Sequence, residues 1–346
     1  GHVFPALAVA EFLRERGVDI QWMGTDKGIE AKVCPQNDIP LHTLNITGIR
    51  GKSITKFLTG PFAVAKAIAE AKRIIKQLQP QAVMGMGGYA SGPGGIAARL
   101  CGVPLIVHEQ NAKPGSTNKV LSKIAQKVLC GFPKALPKGE FVGNPVRDAF
   151  YQHAKSPVAI EDSAFRLLVL GGSLGARALN EIVPAALALL PNETNLHIVH
   201  QAGARTLDAA KAAYEPLARQ WDDWQISVRE FIEDVALEMA QADLVICRAG
   251  ALTVAELSVL GKPAILVPFP FAIDDHQTAN ARFLSEKGAA ILRAEGALTK
   301  EQLAEDLRLL IAFPEKLNAM ARAARLQEEK TATEKVAECC LEYLHV

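Results

Sequence analysis

Two glycine-rich segments have the composition of phosphate-binding loops. Residues 85–95 read Gly-Met-Gly-Gly-Tyr-Ala-Ser-Gly-Pro-Gly-Gly, and residues 171–177 read Gly-Gly-Ser-Leu-Gly-Ala-Arg. Glycine lets the backbone turn tightly and approach a ligand, while the N–H groups and the dipole of a following helix attract phosphate. The steric needs of a tight turn explain one such segment equally well. Two segments, one in each half of the chain, favour a phosphate-bearing ligand between two domains.

Neither segment matches the common nucleotide-binding motifs. No Gly-Lys-Ser/Thr follows, and no clean G-x-G-x-x-G is paired with an acidic residue about 20 positions on, which argues against NAD. The sequence also lacks an Asp-x-Asp motif of the kind that holds a metal ion on a diphosphate. We interpret the acidic pairs at 222–223 and 274–275 as solvated loop charges. We therefore predict no metal ion and no cofactor, and helix N-termini that stabilise the diphosphate instead.

A third cluster, Cys-Arg-Ala-Gly-Ala-Leu-Thr-Val-Ala-Glu at residues 247–256, follows another apolar run. It places Glu256 one turn into a predicted helix, near a ligand cleft. A carboxylate there could accept hydrogen bonds from both hydroxyls of a ribose. A first-turn acid that stabilises the helix dipole is an equally good interpretation, and position alone leaves both open.

The elements that must hold these segments alternate along the chain. Short apolar runs typical of buried parallel strands occur at residues 81–84, 105–107, 166–170, 196–199, 244–246 and 264–267. Helical patterns lie between them, at residues 63–78, 174–190, 207–220, 253–260 and 277–287. This alternation predicts an α/β protein with doubly wound parallel sheets, whose ligands lie beyond the carboxyl ends of the strands.

The length of 346 residues suits two domains. Gly-Asn-Pro-Val-Arg at residues 143–147 ends the first series of elements, and a polar stretch follows it. We place the first domain at residues 1–147 and the second at residues 148–328. Residues 329–346 form a separate C-terminal helix, which we expect to pack back on the first domain.

Composition excludes several classes of protein. A formal net charge of +1 gives no electrostatic case for nucleic acid. The six cysteines include no C-x-x-C pair, so they indicate buried thiols in a reducing compartment instead of a zinc site or a disulfide framework. No apolar run approaches the roughly 20 residues of a membrane helix, and no signal peptide is visible. We predict a cytoplasmic protein.

One segment has the character of a membrane-binding surface. Residues 39–69 contain no acidic residue, while Arg50, Lys52, Lys56 and Lys66 are interleaved with apolar side chains that include Phe62. Such a segment suits an anionic bilayer, where each nearby cation contributes about 1 kcal/mol. A loop that packs its apolar residues inward is the usual alternative.

Taken together, these motifs resemble the MurG family, the peptidoglycan N-acetylglucosaminyltransferases. The matching stretches are residues 1–8 (Gly-His-Val-Phe-Pro-Ala-Leu-Ala), 85–95, 108–111 (His-Glu-Gln-Asn), 143–147, 171–177, 247–256 and 275–277 (Asp-His-Gln). They run in order over nearly the whole chain. The resemblance implies a GT-B fold, in which two Rossmann-like domains face each other across a cleft.

The resemblance also implies a reaction and its substrates. It implies an inverting glycosyltransferase that moves N-acetylglucosamine from UDP-N-acetylglucosamine to the C4 hydroxyl of the N-acetylmuramyl sugar of lipid I, giving lipid II. Lipid I is undecaprenyl-pyrophosphoryl-N-acetylmuramyl-pentapeptide. A polyprenyl acceptor implies peripheral attachment to the cytoplasmic face of the inner membrane.

Site residues follow from the resemblance alone. It implies that Ser173 and Arg147 belong to the donor site, that the backbone at Ile232 meets the uracil, and that Glu256 takes the ribose hydroxyls. The remaining predicted substrate-binding residues are Gly1, Asn111, Ala251, Leu252, Thr253, Val254, Ala255 and Gln277, of which Asn111 and Gln277 would contact the N-acetylglucosamine. Without the resemblance, those two amides would be unremarkable.

His2 is the predicted general base. It lies at the start of a helix predicted to run to Arg14, where the helix dipole favours the neutral imidazole that a base requires. On its sequence position alone, a histidine there needs no role; the motif match is what favours the base. Glu109 is the reserve candidate.

The sequence departs from the family at its start. The family opens with a strand and a Gly-Gly-Thr-Gly-Gly-His loop, of which this sequence includes only the last Gly and the His, so we expect the family's first strand to be absent from this sequence. Two alternatives stay open: a UDP-N-acetylglucosamine 2-epimerase with the same fold and donor, and a sugar-nucleotide-binding protein that is catalytically dead.

Overall fold

The computed structural model describes residues 2–46, 54–156, 163–172, 175–191, 194–221, 223–325 and 329–344, without the side chains of residues 54–61 and 273. The chain forms two compact units. The first unit comprises Gly1–Arg147 with Glu328–Val346, and the second comprises Asp148–Gln327. Within the described part of the chain, no helix is both long and apolar enough to cross a membrane.

The strands and helices are numbered in chain order. The strands are β1 (Trp22–Gly24), β2 (Leu41–Thr43), β3 (Val83–Gly85), β4 (Leu105–Glu109), β5 (Lys127–Cys130), β6 (Glu140–Phe141), β7 (Phe165–Leu170), β8 (Leu196–Gln201), β9 (Gln225–Arg229), β10 (Leu244–Cys247), β11 (Ala264–Leu266) and β12 (Ala290–Leu292). The α-helices are α1 (Val3–Arg14), α2 (Glu30–Gln36), α3 (Ile54–Leu78), α4 (Gly88–Leu100), α5 (Ser116–Leu121), α6 (Asp148–Lys155), α7 (Arg177–Leu187), α8 (Leu207–Gln220), α9 (Val235–Gln241), α10 (Ala251–Leu260), α11 (His276–Ser285), α12 (Lys300–Ala312), α13 (Pro314–Ala324) and α14 (Ala332–Leu341).

The first unit contains two parallel sheets, with strand orders β1-β2 and β3-β4-β5-β6. Every residue of β4 is buried, as expected for a central parallel strand covered on both faces. Helix α14 packs on this core, where Val336 and Cys340 join a cluster with Leu13, Ile106 and Leu129. The chain therefore returns to the first unit after completing the second.

The second unit is built on one six-stranded parallel sheet with the order β12-β11-β10-β7-β8-β9. Its core contains alternate residues of the central strands, among them Leu167, Val169, Ile198, Leu244, Ile246 and Ile265. Strands β8 and β9 extend the sheet to one side of β7, and β10, β11 and β12 extend it to the other. The order therefore reverses between β7 and β10, and ligands of open α/β sheets bind at such a switch point.

The structure moves the starts of two predicted helices and adds strands that were not predicted. Helix α3 begins at Ile54 instead of residue 63. Helix α7 begins at Arg177 instead of residue 174, because Gly175 has a φ of +78°, outside the helical range. Six strands were not predicted. Five of them (β1, β2, β5, β6 and β12) have only two to four residues, and β9, Gln-Ile-Ser-Val-Arg, alternates polar and apolar residues instead of forming an apolar run.

Candidate active site

The first glycine-rich segment is mostly helix. Only Met86 and Gly87 separate β3 from α4, and both Gly87 and Gly88 have positive φ values, of 88° and 81°. Further along, a Cβ atom at Gly95 would lie 2.8 Å from Leu121 Cδ2, so this glycine permits close packing between α4 and α5. Gly87 and Gly88 therefore form the turn at the N-terminus of α4, and Gly95 allows α4 to pack closely against α5.

The imidazole of His2 lies directly against the start of α4. A Cβ atom on Gly88 would lie 2.5 Å from His2 Nε2 and 2.9 Å from His2 Cε1. His2 is itself the N-cap residue of α1, although its side chain caps no helical N–H. Burial lowers the pKa of His2 below its usual value, and the charge of Glu30 opposes that shift. The ring is therefore neutral at pH 7, near the positive ends of two helices.

Glu109, the reserve base, is occupied by loop contacts. Its side chain is only 2% exposed. One carboxylate oxygen accepts hydrogen bonds from the backbone N–H and the side chain of Asn111, at 2.8 and 3.3 Å, and the other accepts from Gly115 N and Asn118 Nδ2 at 3.1 and 2.9 Å. Four donors fill the acceptor sites of one carboxylate. The geometry favours a loop-organising role for Glu109, which fixes the backbone at Asn111.

Arg147 follows a segment that is fixed to the end of β4. His108, which is fully buried, hydrogen-bonds the Gly143 carbonyl through Nε2 at 2.9 Å, and Asn144 Nδ2 donates to the Gln110 carbonyl at 3.0 Å. Burial lowers the pKa of His108 to about 4, so it is a neutral structural group. These bonds join two of the sequence motifs, residues 108–111 and 143–147. Arg147 is half-buried at the end of the second motif.

The second glycine-rich segment lies at the switch point of the second unit. It follows β7, and a Cβ atom on Gly171 would lie 2.9 Å from both Gln201 O and Ala176 N, so only glycine fits there. Gly175 has positive φ and packs against the Ala202 carbonyl, where any side chain would overlap. Ser173 lies outside the described residues, as does Gly1.

The cluster at residues 247–256 lies on the other side of the switch point. Gly250 caps α10, so the residues from Ala251 onward form its first turns. Ala251 and Val254 are buried in the core, whereas Leu252, Thr253, Ala255 and Glu256 are partly exposed. Leu252 and Thr253 lie four and three positions before Glu256, and therefore share one face of the helix with it. The burial of the Ala251 and Val254 side chains leaves the partly exposed residues of the helix as the side chains that a ligand could contact.

Gln277 lies near the start of α11 and has one end of its amide occupied. Its oxygen accepts the Phe269 N–H at 2.9 Å, which leaves its nitrogen as the group available to a sugar. The next turn of α11 carries Asn280, whose Nδ2 donates to the Ala249 carbonyl at 3.2 Å. Asn280 therefore ties α11 to the loop that precedes α10.

Ile232 lies between β9 and α9 and is 1% exposed. Its backbone N–H donates to Gln201 Oε1 at 3.1 Å. The Ile232 carbonyl has no hydrogen-bond donor among the described residues. The backbone group that a base can use at this position is therefore the carbonyl.

Sequence reasoning missed several polar residues that hold these loops. His108, Gln201 and Asn280 are all at least 96% buried, and each bonds a backbone group of a glycine-rich or ligand-facing loop. For His108 and Gln201 the available signal was a polar residue near the end of an apolar strand, since a buried polar group must find a partner; Asn280 lies within helix α11 and has no such signal. Their partners are 31 to 35 residues away in the chain, so no local pattern reveals them.

Acidic side chains form no metal site in the described part of the molecule, where no group of three or more His, Cys, Asp or Glu residues is placed to hold an ion. Asp274 and Asp275 are exposed and have φ values of 55° and 52°. Asp222 is outside the described residues.

Comparison with known families gives two matches that together cover most of the chain. Residues 1–130 match the glycosyltransferase family 28 N-terminal domain, and residues 166–336 match the glycosyltransferase family 28 C-terminal domain.

Curated relatives match over nearly their full length. A protein of Alkalilimnicola ehrlichii is 50% identical over 99% of this chain and 96% of its own length. One from Pseudomonas putida is 45% identical over 100% of this chain and 95% of its own length. Both are named UDP-N-acetylglucosamine–N-acetylmuramyl-(pentapeptide) pyrophosphoryl-undecaprenol N-acetylglucosamine transferase.

Solved structures give the same result. The crystal structure of Acinetobacter baumannii MurG superimposes with a TM-score of 0.82, at 40% identity, over 99% of this chain and 96% of that one. A UDP-N-acetylglucosamine 2-epimerase from Neisseria meningitidis gives a TM-score of 0.65 at 14% identity, over 99% and 96% of the two chains, and shows a shared fold alone. The predicted fold class, two parallel-sheet α/β domains of the GT-B type, is confirmed, as is the resemblance to the peptidoglycan N-acetylglucosaminyltransferases.

Proposed function

The chain belongs to glycosyltransferase family 28, and on that premise we propose that it transfers N-acetylglucosamine from UDP-N-acetylglucosamine to the C4 hydroxyl of the N-acetylmuramyl sugar of lipid I. The products are lipid II and UDP. The observation that carries this proposal is the 44–50% identity to transferases of this name over nearly the whole chain. The epimerase structures that resemble this chain are 14% identical to it, and that likeness shows the shared fold alone.

Within the second unit, the residues around the switch point form the donor site. The glycine-rich segment after β7 and the N-terminus of α10 offer backbone N–H groups to the diphosphate, which needs no metal ion in this arrangement. Glu256 lies on the half-exposed face of α10 and accepts the ribose hydroxyls. Gln277 presents its amide nitrogen to the sugar, because its oxygen is held by Phe269. Arg147 and Asn111 belong to the first unit, and their contact with the donor stays a prediction from the family resemblance.

His2 acts as the general base. The C4 oxygen of the acceptor attacks the anomeric carbon, the bond from that carbon to the β-phosphate oxygen breaks, and UDP leaves with the electron pair. The C4 hydroxyl proton passes to His2 Nε2 or Nδ1, whichever is unprotonated. Support comes from the lowered pKa of His2, which keeps the ring able to accept a proton, and from the occupied carboxylate of Glu109.

A direct experiment tests the base. We expect His2→Ala to lower kcat by about 10²–10⁴-fold with little change in donor affinity, and to remove the acidic limb of the kcat profile. Because the pKa of His2 lies below its usual value of 6.5, that limb should fall below pH 6.5 in the parent. A loss confined to KM would indicate a binding role, and full activity would exclude His2 as the base.

The acceptor is a membrane lipid, and the acid-free segment at residues 39–69 is the surface that would meet the bilayer. Phe62 is 80% exposed, and Lys66 is exposed one turn further along α3. Ala67, Ala71 and Ile75 on the other face of the helix are buried in the core. Helix α3 therefore presents an aromatic ring and a cation to solvent together, which suits peripheral binding to an anionic cytoplasmic leaflet.

The rest of this segment is tested by charge reversal. Arg50 and Lys52 lie outside the described residues, as does the side chain of Lys56. Changing Lys52 and Lys56 to Glu should weaken binding to anionic vesicles and leave UDP affinity unchanged, and binding by the parent should fall as salt rises. Equal vesicle binding by parent and double variant would exclude this segment from the membrane surface.

The overall reaction is tested with UDP-N-acetylglucosamine and a lipid I analogue. We expect UDP release and a disaccharide product only when both substrates are present. Conversion of the donor to its C2 epimer without acceptor would indicate an epimerase. Tight UDP binding with no turnover of either kind would indicate a sugar-nucleotide-binding protein.

A further inference from the structure

A chain of buried polar side chains lies beside the second glycine-rich segment. Its members are Asn180 on α7, His200 on β8 and Tyr214 on α8, all at most 3% exposed. His200 Nδ1 lies 2.9 Å from the Tyr214 hydroxyl, and His200 Nε2 lies 3.0 Å from Asn180 Oδ1. Asn180 Nδ2 donates to the Ala202 carbonyl at 3.1 Å, just after the end of β8. The proposed mechanism uses none of these three side chains.

The hydrogen bonds of this chain can run in one direction only. A carbonyl oxygen only accepts, so the Asn180 amide turns its nitrogen towards Ala202 and its oxygen towards His200. The amide oxygen also only accepts, so the ring proton lies on His200 Nε2. Burial lowers the pKa of His200 to about 4, so the ring is neutral at pH 7 and its unprotonated Nδ1 accepts from the Tyr214 hydroxyl. The orientation of the Asn180 amide is therefore fixed from both ends.

Asn180 connects this chain of side chains to the N-terminus of α7. Its own N–H donates at 3.0 Å to the carbonyl of Ala176, the N-cap residue, so Asn180 lies one turn into the helix. Its side chain holds that turn against the Ala202 carbonyl, the group against which Gly175 packs. Thr206 Oγ1 donates to the same carbonyl at 2.6 Å. A side chain, and not strand pairing, therefore holds the first turn of α7 against the end of β8.

We infer that Asn180 is a positioning residue, which holds the N-terminus of α7 against the diphosphate of the donor. This inference rests on the proposed function, in which the glycine-rich segment after β7 binds that diphosphate. The N–H groups of the first turn of a helix have no acceptor within the helix, and hydrogen bonds weaken steeply as their geometry departs from the optimum. The position of the helix therefore sets the strength of these bonds. Asn180 is buried and acts through the helix.

Asn180→Leu and Tyr214→Phe form a matched pair of variants. Each substitution nearly keeps the shape of the side chain and leaves one nitrogen of the His200 ring without its partner, so both should lose similar stability. Only Asn180→Leu releases the first turn of α7 from the Ala202 carbonyl. We expect it to weaken UDP binding by about 10–100-fold, the range for a hydrogen bond to a charged group. Tyr214→Phe should bind UDP as the parent does, because Asn180 keeps its bond to Ala202.

Uridine, which lacks the diphosphate, distinguishes positioning of α7 from damage to the whole nucleotide site. Calorimetry measures UDP affinity, and competition against UDP measures the affinity for uridine. Asn180→Leu should leave the affinity for uridine unchanged, so the preference for UDP over uridine should fall by the factor that UDP loses. Donor KM should rise while acceptor KM stays constant. Asn180→Ala removes the same bonds without adding bulk, and it replaces Asn180→Leu if urea unfolding shows that the leucine variant does not fold.

Two results would overturn the inference and leave the proposed function intact. One is an equal loss of UDP and uridine affinity in Asn180→Leu, and the other is an equal loss of UDP affinity in Asn180→Leu and Tyr214→Phe. A parent protein that binds uridine as tightly as UDP would overturn both the inference and the proposed function, since its donor site would not hold a diphosphate.

Discussion

The contact between His2 and Gly88 allows the base to be displaced without mutating it. Gly88→Ala adds one methyl group, whose carbon would lie 2.5 Å from His2 Nε2 and 3.1 Å from His2 Cδ2. Non-bonded heavy atoms reach their optimum separation at about 3.5–4.0 Å. The imidazole must therefore move by roughly 1 Å, since the backbone of α4 is held by its own hydrogen bonds.

A displacement of this size has a predictable effect on the reaction. Misplacing a reacting group by about 1 Å can cost about 10²-fold in rate. We therefore expect Gly88→Ala to lower kcat by about 10²-fold, at or below the effect of His2→Ala. UDP affinity should not change, because the residues proposed to hold the nucleotide lie mainly in the second unit.

Alanine at Gly88 also carries a conformational cost, which a control must remove. The φ of +81° is unfavourable for any residue with a Cβ atom, by about 1–2 kcal/mol. Gly102 is a suitable control position, because its φ of +76° is close to that of Gly88 and a Cβ atom there would have no neighbour within 4 Å. Gly102→Ala should therefore carry the same conformational cost as Gly88→Ala without its overlap with another side chain, and it should leave kcat near that of the parent.

Transfer assays at saturating donor and lipid I analogue measure kcat, and urea unfolding measures stability. If both alanine variants lose the same small fraction of kcat, the position of the His2 ring does not control the reaction. If Gly88→Ala raises acceptor KM and leaves kcat unchanged, the start of α4 binds the acceptor and does not support a base.

Four further expectations test other parts of the proposal. Glu256→Ala should weaken UDP binding by about 1–3 kcal/mol, because ribose hydroxyls lose a charged acceptor; calorimetry showing equal affinity would remove Glu256 from the site. Phe62→Ser should weaken vesicle binding by about 2 kcal/mol, the free energy gained by burying an aromatic side chain. Phe313→Ser, at an exposed phenylalanine of the second unit, should leave vesicle binding unchanged. Equal losses for the two variants in a sedimentation assay would contradict the proposal that Phe62 contacts the membrane. Transfer activity should persist in excess EDTA, and its reversible loss would show that the diphosphate needs a metal ion. Burial lowers the pKa of His108 and of His200 to about 4, so as the pH falls these histidines are protonated in the unfolded chain before they are protonated in the folded protein. Each histidine should therefore lower the free energy of unfolding by about 3 kcal/mol between pH 6.5 and pH 4. His200→Gln should make the free energy of unfolding, measured with urea, less dependent on pH over this range.

Much of the architecture was accessible from local sequence. A buried parallel strand reads as a short apolar run and a covering helix as a longer periodic one, so β7, β8 and α8 were predicted nearly to the residue. The turns between them were marked by glycine for the same local reason. Short edge strands such as β6 were missed because two residues carry no period.

The candidate site, like the fold, was only partly predictable from local sequence. The residue types and their spacing in the glycine-rich segments and in residues 247–256 indicated a phosphate-bearing ligand and, through the family resemblance, a sugar nucleotide. The spacing of the glycines in residues 85–95 could not show which of them form the helix N-terminus and which allow close helix packing. The structure does, because it shows that Gly88 faces His2 and Gly95 faces Leu121.

The sequence by itself determined the class of fold, the family and the set of residues able to do chemistry, because those depend on short-range patterns. Only the tertiary structure decided which of those residues meet. His2 reaches Gly88 across 86 positions, and Gln201 ties together loops that lie 30 residues before it and 31 after it. Such contacts depend on the order of the strands and on their register, which local propensities do not encode. A one-residue change in the register of β8, for example, would turn the Gln201 side chain to the opposite face of the sheet.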